Sequence, residues 1–227
     1  MPLTLDHIVP WGRLAREYEL MFALTPREMG GGILDCGGGP ASFAAEMAAR
    51  GVRAVAVDPI YAFSPAQIRE RFEAIARPMI DHVRSTPDWW TWTFHRDPDD
   101  LLAHRRAALE TFLADYQSGL AQGRYIVGEL PALAFPDNSF ALALCSHLLF
   151  LYSDLLSADF HIQSILELNR IAPEVRIFPM LGMDGKPSPH IARVRGALEE
   201  HGRTIEIIDV GYEFQRGGSQ MLRVCRL

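Results

Sequence analysis

Lysine is almost absent from this chain: of 22 basic residues only Lys186 is one, and the arginines are scattered apart from Arg105-Arg106. With a formal charge of −6, the sequence offers no basic stripe to track a phosphate backbone, which argues against polymeric DNA or RNA as a partner. Cysteine is scarce too. Cys36, Cys145 and Cys225 are odd in number and sit in apolar runs, the pattern of buried free thiols in a reducing compartment rather than of a disulfide framework or a metal site. No other metal ligand is read from the sequence. The longest strongly apolar stretch, Phe140 to Tyr152, is too short to span a bilayer and contains Ser146 and His147, and the chain does not open on a charged segment followed by an apolar one. These absences predict a cytoplasmic protein without a transmembrane segment. Repeats and low-complexity tracts are also missing. The 227 residues are long enough for one sizeable core and short for two, so one domain over 1–227 is expected.

The stretch Ile33 to Phe43, Ile-Leu-Asp-Cys-Gly-Gly-Gly-Pro-Ala-Ser-Phe, organises the rest. It reads as a strand running into a glycine turn and then a helix over Ala41 to Arg50, with Pro40 suited to the helix's first turn and Gly51 to its C-terminal cap. A second apolar strand, Val52 to Val57, ends in Asp58. In a parallel sheet Asp35 and Asp58 then reach the same edge, where open α/β sheets bind ligands, and an acid at the end of strand two can accept hydrogen bonds from ribose hydroxyls. Glycine turns of this kind also hold nucleotides, flavins or bare phosphates.

Here the chain resembles the class I S-adenosylmethionine-dependent methyltransferases. Their acid-x-Gly-x-Gly motif is matched by Asp35, Gly37 and Gly39, with Gly38 between, although the usual third glycine is Ala41. Their ribose-binding acid corresponds to Asp58. Gly128-Glu129-Leu130 and Leu133 to Phe140 look like the family's passage from strand three into strand four. The resemblance implies a doubly wound seven-stranded sheet, mostly parallel, with the last strand antiparallel. It also implies S-adenosylmethionine as cofactor, S-adenosylhomocysteine as product, adenine contacts from Glu129 and Leu130, and a cofactor contact from Ser146. A leading helix, read here over residues 6 to 24, would close over the methionine end of the cofactor, with Arg13 and Tyr18 on its carboxylate; an amphipathic helix covering the sheet edge with Arg13 in solvent fits the pattern equally.

After strand two the chain spends residues 61 to 123 where one helix would suffice. Ser64, Pro65 and Gln67 start a helix towards Arg84, bent at Pro78, and Asp97-Pro98-Asp99-Asp100 starts another ending near Gly123. Between them stand Trp89, Trp90 and Trp92, three of the chain's four tryptophans. They could wall a pocket for a flat or apolar substrate, glue the inserted helices to the sheet, or form a partner surface. Strands follow at Tyr125 to Gly128, Phe140 to Ser146 and Val175 to Phe178, with a helix at Ala158 to Ile171 and another from Ser188 to Gly202. Thr204 to Phe214 and Ser219 to Leu227 alternate as a terminal hairpin, which the methyltransferase fold predicts and dehydrogenases generally lack.

Strand four ends beside the presumed methyl group, which makes His147 the candidate catalytic acid or base; Phe150, Tyr152 and His161 are further pocket candidates. The acid usual after the phenylalanine is Ala141, and no Asn-Pro-Pro-Tyr-like motif follows, which argues against amino methylation of nucleobases or glutamine. Methyl transfer to a small or medium-sized acceptor is therefore expected. The alternatives are a binding protein that keeps the cofactor pocket without turnover, and an NAD-dependent oxidoreductase using Asp58 on the adenosine ribose.

Overall fold

The computed structural model describes residues 8–26 and 28–226. Strand β1, Ile33–Cys36, is followed by α2, Phe43–Ala49, and β2, Ala54–Val57, after the leading helix α1, Ala15–Met21. Two long helices, α3 (Pro65–Ser85) and α4 (Pro98–Ala121), stand between β2 and the short β3, Tyr125–Ile126. Then come β4 (Leu142–Ser146), α5 (Ala158–Ile171), β5 (Glu174–Phe178), α6 (Ile191–Glu200), β6 (Arg203–Asp209) and β7 (Gln220–Arg226). The seven strands lie in the order β3-β2-β1-β4-β5-β7-β6. All pairings are parallel except those of β7, which runs against both β5 and β6. This is the class I methyltransferase topology that the resemblance implies.

Alternation along the central strands divides the core in two. Ile33, Ala54, Ala56, Leu142 and Leu144 face the layer with α1, α2 and Phe72 of α3 and Phe112 of α4. Leu34, Cys36, Val55, Val57, Ala143, Cys145 and Ile177 face the layer with α5 and α6. Cys36 and Cys145 are neighbours in register on β1 and β4, both buried and free, while Cys225 is half-buried. No helix among the described residues is long and apolar enough to cross a membrane.

Three expectations need correction. The leading helix is confined to Ala15–Met21, with residues 8–14 irregular and residues 6 and 7 outside the described part. Pro10 and Gly12 lie in that stretch, and a Cβ on Gly12 would stand 2.2 Å from the Pro40 carbonyl oxygen, so the chain here is pressed against the glycine turn instead of coiling. Leu14 then caps α1, its backbone N–H donating to Glu17. Helix α2 begins at Phe43 after Ser42, leaving Pro40 in the loop and not in the first turn. Helix α6 begins three residues later than Ser188, because Ser188 is buried and its backbone N–H donates to the Met180 carbonyl. The two helices after β2 start as read, on a Ser64–Gln67 capping box and on an Asp97 side chain that accepts from Asp100, and α3 continues through Pro78.

Candidate functional site

The turn after β1 is built for close approach. Gly37 and Gly39 have φ of +74° and +59°, and a Cβ on Gly37 would lie 2.5 Å from Leu148. At Gly38 the obstacle is beneath the loop: a Cβ there would stand 2.2 Å from Asp35 Oδ2 and 2.7 Å from the Tyr18 hydroxyl. Those two groups are hydrogen-bonded, Tyr18 donating to Asp35 Oδ2 at 3.0 Å, while Asp35 Oδ1 has no partner. Burial pushes the Asp35 carboxyl up to about 7, with the Tyr18 bond pulling the other way and the Asp58 charge adding to the rise.

Asp58 sits at the end of β2 and ties the loop down. Its Oδ2 accepts from Gly39 N at 2.9 Å and its Oδ1 from Ile60 N at 2.8 Å. Burial pushes its carboxyl up to about 6 even against those two amides. Each oxygen keeps a second lone pair, so the carboxylate can accept further donors from the cavity beside it.

That cavity, about 540 Å³, is the size of a cofactor or ligand site. Its floor is Gly37, Gly38, Gly39 and Asp58; Glu129 and Leu130 line it beyond β3, with Ser146 at the end of β4 and His147 just after it. Val9, Pro10 and Trp11 close one side, and Leu148, Leu151, Tyr152, Leu156 and Phe160 another. Arg13 also lines it. Its Nη1 donates to the Trp11 carbonyl at 3.1 Å, its Nε has no partner, and among the described residues no carboxylate pairs with it. Burial and then the neighbouring Arg105 charge lower the Arg13 pKa, against the opposing charge of Glu17.

His147 has φ +54°, its Nδ1 lies 3.0 Å from Ser146 Oγ, and its ring packs edge-on against Phe178. Burial, then the Arg13 and Arg105 charges, hold its pKa well below the usual histidine range. The ring is therefore neutral at working pH and a weaker base than an ordinary histidine, with one nitrogen free to accept a hydrogen bond.

Other expected site residues lie elsewhere. Tyr18 and Asp35 support the loop from behind and do not line the cavity. Trp89, Trp90 and Trp92 are also outside it. Trp90 stacks on Phe214 with centroids 4.7 Å apart and donates to Thr86 Oγ1, and Trp92 meets the same Phe214 edge-on. The backbone between them joins the segment after β6, Thr91 N donating to the Phe214 carbonyl. Trp90 and Trp92 glue α3 and α4 to the β6–β7 connection, packing with Phe214 against Ile80, Val83 and Leu101. Phe150 is fully buried in the core and takes no part in the cavity wall, its N–H donating to His161 Nε2, which makes His161 structural as well. Tyr152 does line the cavity, and its hydroxyl accepts from Val9 N.

Residues the sequence reading passes over include Phe63, Arg71, Met79 and Met183, all on the cavity wall. Arg71 lies one turn and a half into α3, with its guanidinium carbon 3.9 Å from the Phe63 ring centre. A separate group, His95, Asp100 and His104, comes together at the start of α4. Its signal in the sequence is a His-x4-Asp-x3-His spacing across a helix start.

No family model matches the chain. The uncharacterised protein MJ0045 of Methanocaldococcus jannaschii is 34% identical over 225 residues, which cover 99% of each chain. Among solved structures, the chain is similar to magnesium protoporphyrin IX methyltransferase from Synechocystis PCC 6803 with bound S-adenosylmethionine, at 13% identity and a TM-score of 0.46 over 87% of this chain and 71% of that one. It is also similar to an S-adenosylmethionine-dependent methyltransferase from Aquifex aeolicus, at 15% identity and a TM-score of 0.41 over 87% of this chain and 81% of that one.

Proposed function

This chain belongs to the family of the M. jannaschii protein MJ0045, and we propose that the cavity over its glycine loop binds S-adenosylmethionine and serves methyl transfer to a small or medium-sized acceptor. One observation carries the reading: a single cavity gathers a glycine loop with no room for side chains at 37, the Asp58 carboxylate, Glu129 and an Arg13 without a carboxylate partner among the described residues. The cofactor's chemistry matches that set, since it brings hydroxyls for Asp58, an adenine amine for Glu129 and a carboxylate for Arg13. The reversed β7 favours this reading over an oxidoreductase.

When bound, S-adenosylmethionine supplies an already activated methyl group, so the protein has little bond-making to perform. The chain's residues hold, align and dry the site. Asp58 and Gly39 fix the loop, Leu130 and the apolar wall exclude water, and Arg13 would provide the charge for the cofactor's carboxylate. With its Nδ1 proton donated to Ser146 Oγ, the neutral His147 ring presents the Nε2 lone pair, which would take the proton released by an acceptor hydroxyl or amine. The acceptor would meet a mainly aliphatic and aromatic wall, with Arg71 as the second cation.

The test is transfer of label from methyl-labelled S-adenosylmethionine into the small-molecule fraction of a cell extract. Label appearing there supports the enzyme. Binding without transfer to any fraction would make the chain a cofactor-binding protein.

A further inference from the structure

We propose that His95, Asp100 and His104 form a binding site for one divalent transition-metal ion of the zinc class, which fastens the segment before α4 to α1. One ring nitrogen from each histidine and one Asp100 carboxylate oxygen lie within 4.8 Å of one another. Asp100 and His104 are four residues apart on α4 and so share a face of the helix, while His95 reaches the same point from the preceding loop.

The arrangement around His95 points to an ion. Its Nε2 lies 3.4 Å from Oε1 of Glu17, a carboxylate with no solvent exposure, and 3.4 Å from the Tyr212 hydroxyl. A proton on Nε2 facing that carboxylate leaves Nδ1 as a lone pair, and Nδ1 stands 2.9 Å from Nδ1 of His104. A carboxylate behind an imidazole is the device that fixes the tautomer and orientation of metal-ligating histidines. Two nitrogens bound to one tetrahedral ion at about 2.0 Å each would be about 3.3 Å apart, so small ring movements suffice.

Two imidazoles and a carboxylate suit zinc and its neighbours rather than magnesium or calcium, which prefer oxygen-rich shells. Arg96 already holds Asp100, through Nε and Nη2 on Oδ1 and its backbone N–H on Oδ2, so Oδ2 is the oxygen with a lone pair left for the ion. His95 is buried whereas Asp100 and His104 are partly exposed, so the ion enters past those two and keeps a water there. None of the three residues lines the cavity described above, which makes the role structural: it joins α1 through Glu17, α4 through Asp100 and His104, and the β6–β7 connection through Tyr212.

The experiment is calorimetric titration of the chelator-dialysed full chain with Zn²⁺, repeated with Co²⁺ to read its visible absorption, on native protein and on Asp100→Asn and His104→Gln. Both substitutions fall at the partly exposed start of α4, and circular dichroism checks that each variant folds. One Zn²⁺ per chain with micromolar or tighter affinity, a tetrahedral Co²⁺ spectrum, and affinity reduced at least ~10-fold in each folded variant are expected. A native chain without saturable binding would overturn the site in favour of a plain histidine–histidine hydrogen bond. Stoichiometric binding unchanged in both variants would overturn it by putting the ion elsewhere.

Discussion

Glu17 and Arg105 meet as a fully buried, two-pronged ion pair, with Nη1 2.7 Å from Oε2 and Nη2 2.9 Å from Oε1. It joins α1 to α4 across 88 residues of sequence, and Tyr212 adds a second donor to Oε1 at 2.8 Å. Burial alone would raise the Glu17 pKa, but Arg105 and then His95 hold it well below the usual carboxylate range. A pair this dry is costly to break on one side, because the remaining charge has no water. Arg105→Met should therefore lower unfolding stability by about 3–5 kcal/mol, whereas Glu17→Gln with Arg105→Met should lose less than the single change. Urea denaturation measures both, and a single variant losing under about 1 kcal/mol would contradict the role assigned to the pair.

The second prediction concerns pH. Asp35 titrates near 7 in the folded chain against an ordinary 3.8, so the folded state favours its protonated form. The stability that this preference contributes is complete below about pH 4 and is lost as the pH rises through 7, a total on the order of a few kcal/mol. Asp35→Asn keeps the Tyr18 contact and cannot ionise. It should flatten the fall in melting temperature between pH 5 and pH 8 in ligand-free protein; an unchanged slope would mean that Asp35 is not held protonated.

Gly38→Ala tests the loop. The added Cβ would collide with Asp35 Oδ2 and the Tyr18 hydroxyl from above, so the loop must lift. Cofactor affinity should fall at least tenfold, roughly 1.4 kcal/mol, while the fold persists. Calorimetry reads the first and circular dichroism the second.

Trp90→Ala should cost about 2 kcal/mol of stability, since the ring is half-buried against Phe214, and should leave cofactor affinity within a factor of two or so, since the ring does not line the cavity. A variant of normal stability with altered acceptor use would restore the tryptophans to the pocket.

These cases show what the sequence could and could not carry. The strand Ile33–Cys36, the glycines after it and Asp58 are legible because their meaning is local: apolar residues, then positions that tolerate positive φ, then an acid at a strand end. The start of α1 is not, because Gly12 packs on Pro40, far along the chain, and helical periodicity is blind to that contact. The choice between pocket wall and glue for the tryptophan linker stays open for the same reason: Phe214, which decides what the rings cover, lies more than 100 residues away. Glu17 reads as an ordinary helix acid until Arg105, Tyr212 and His95 are brought to it. His147 is picked out by its place at the end of a central strand, although its neutral state is set by burial and by the Arg13 and Arg105 charges brought near it.

The most direct test of the account is calorimetric titration of the native chain and of Asp58→Ala with S-adenosylmethionine, S-adenosylhomocysteine and NAD. Asp58 contributes the carboxylate proposed to meet the ribose, so saturable native binding of the first two ligands, no binding of NAD, and at least a tenfold loss in the folded variant are predicted. NAD binding alone, or S-adenosylmethionine affinity unchanged by loss of Asp58, would contradict it.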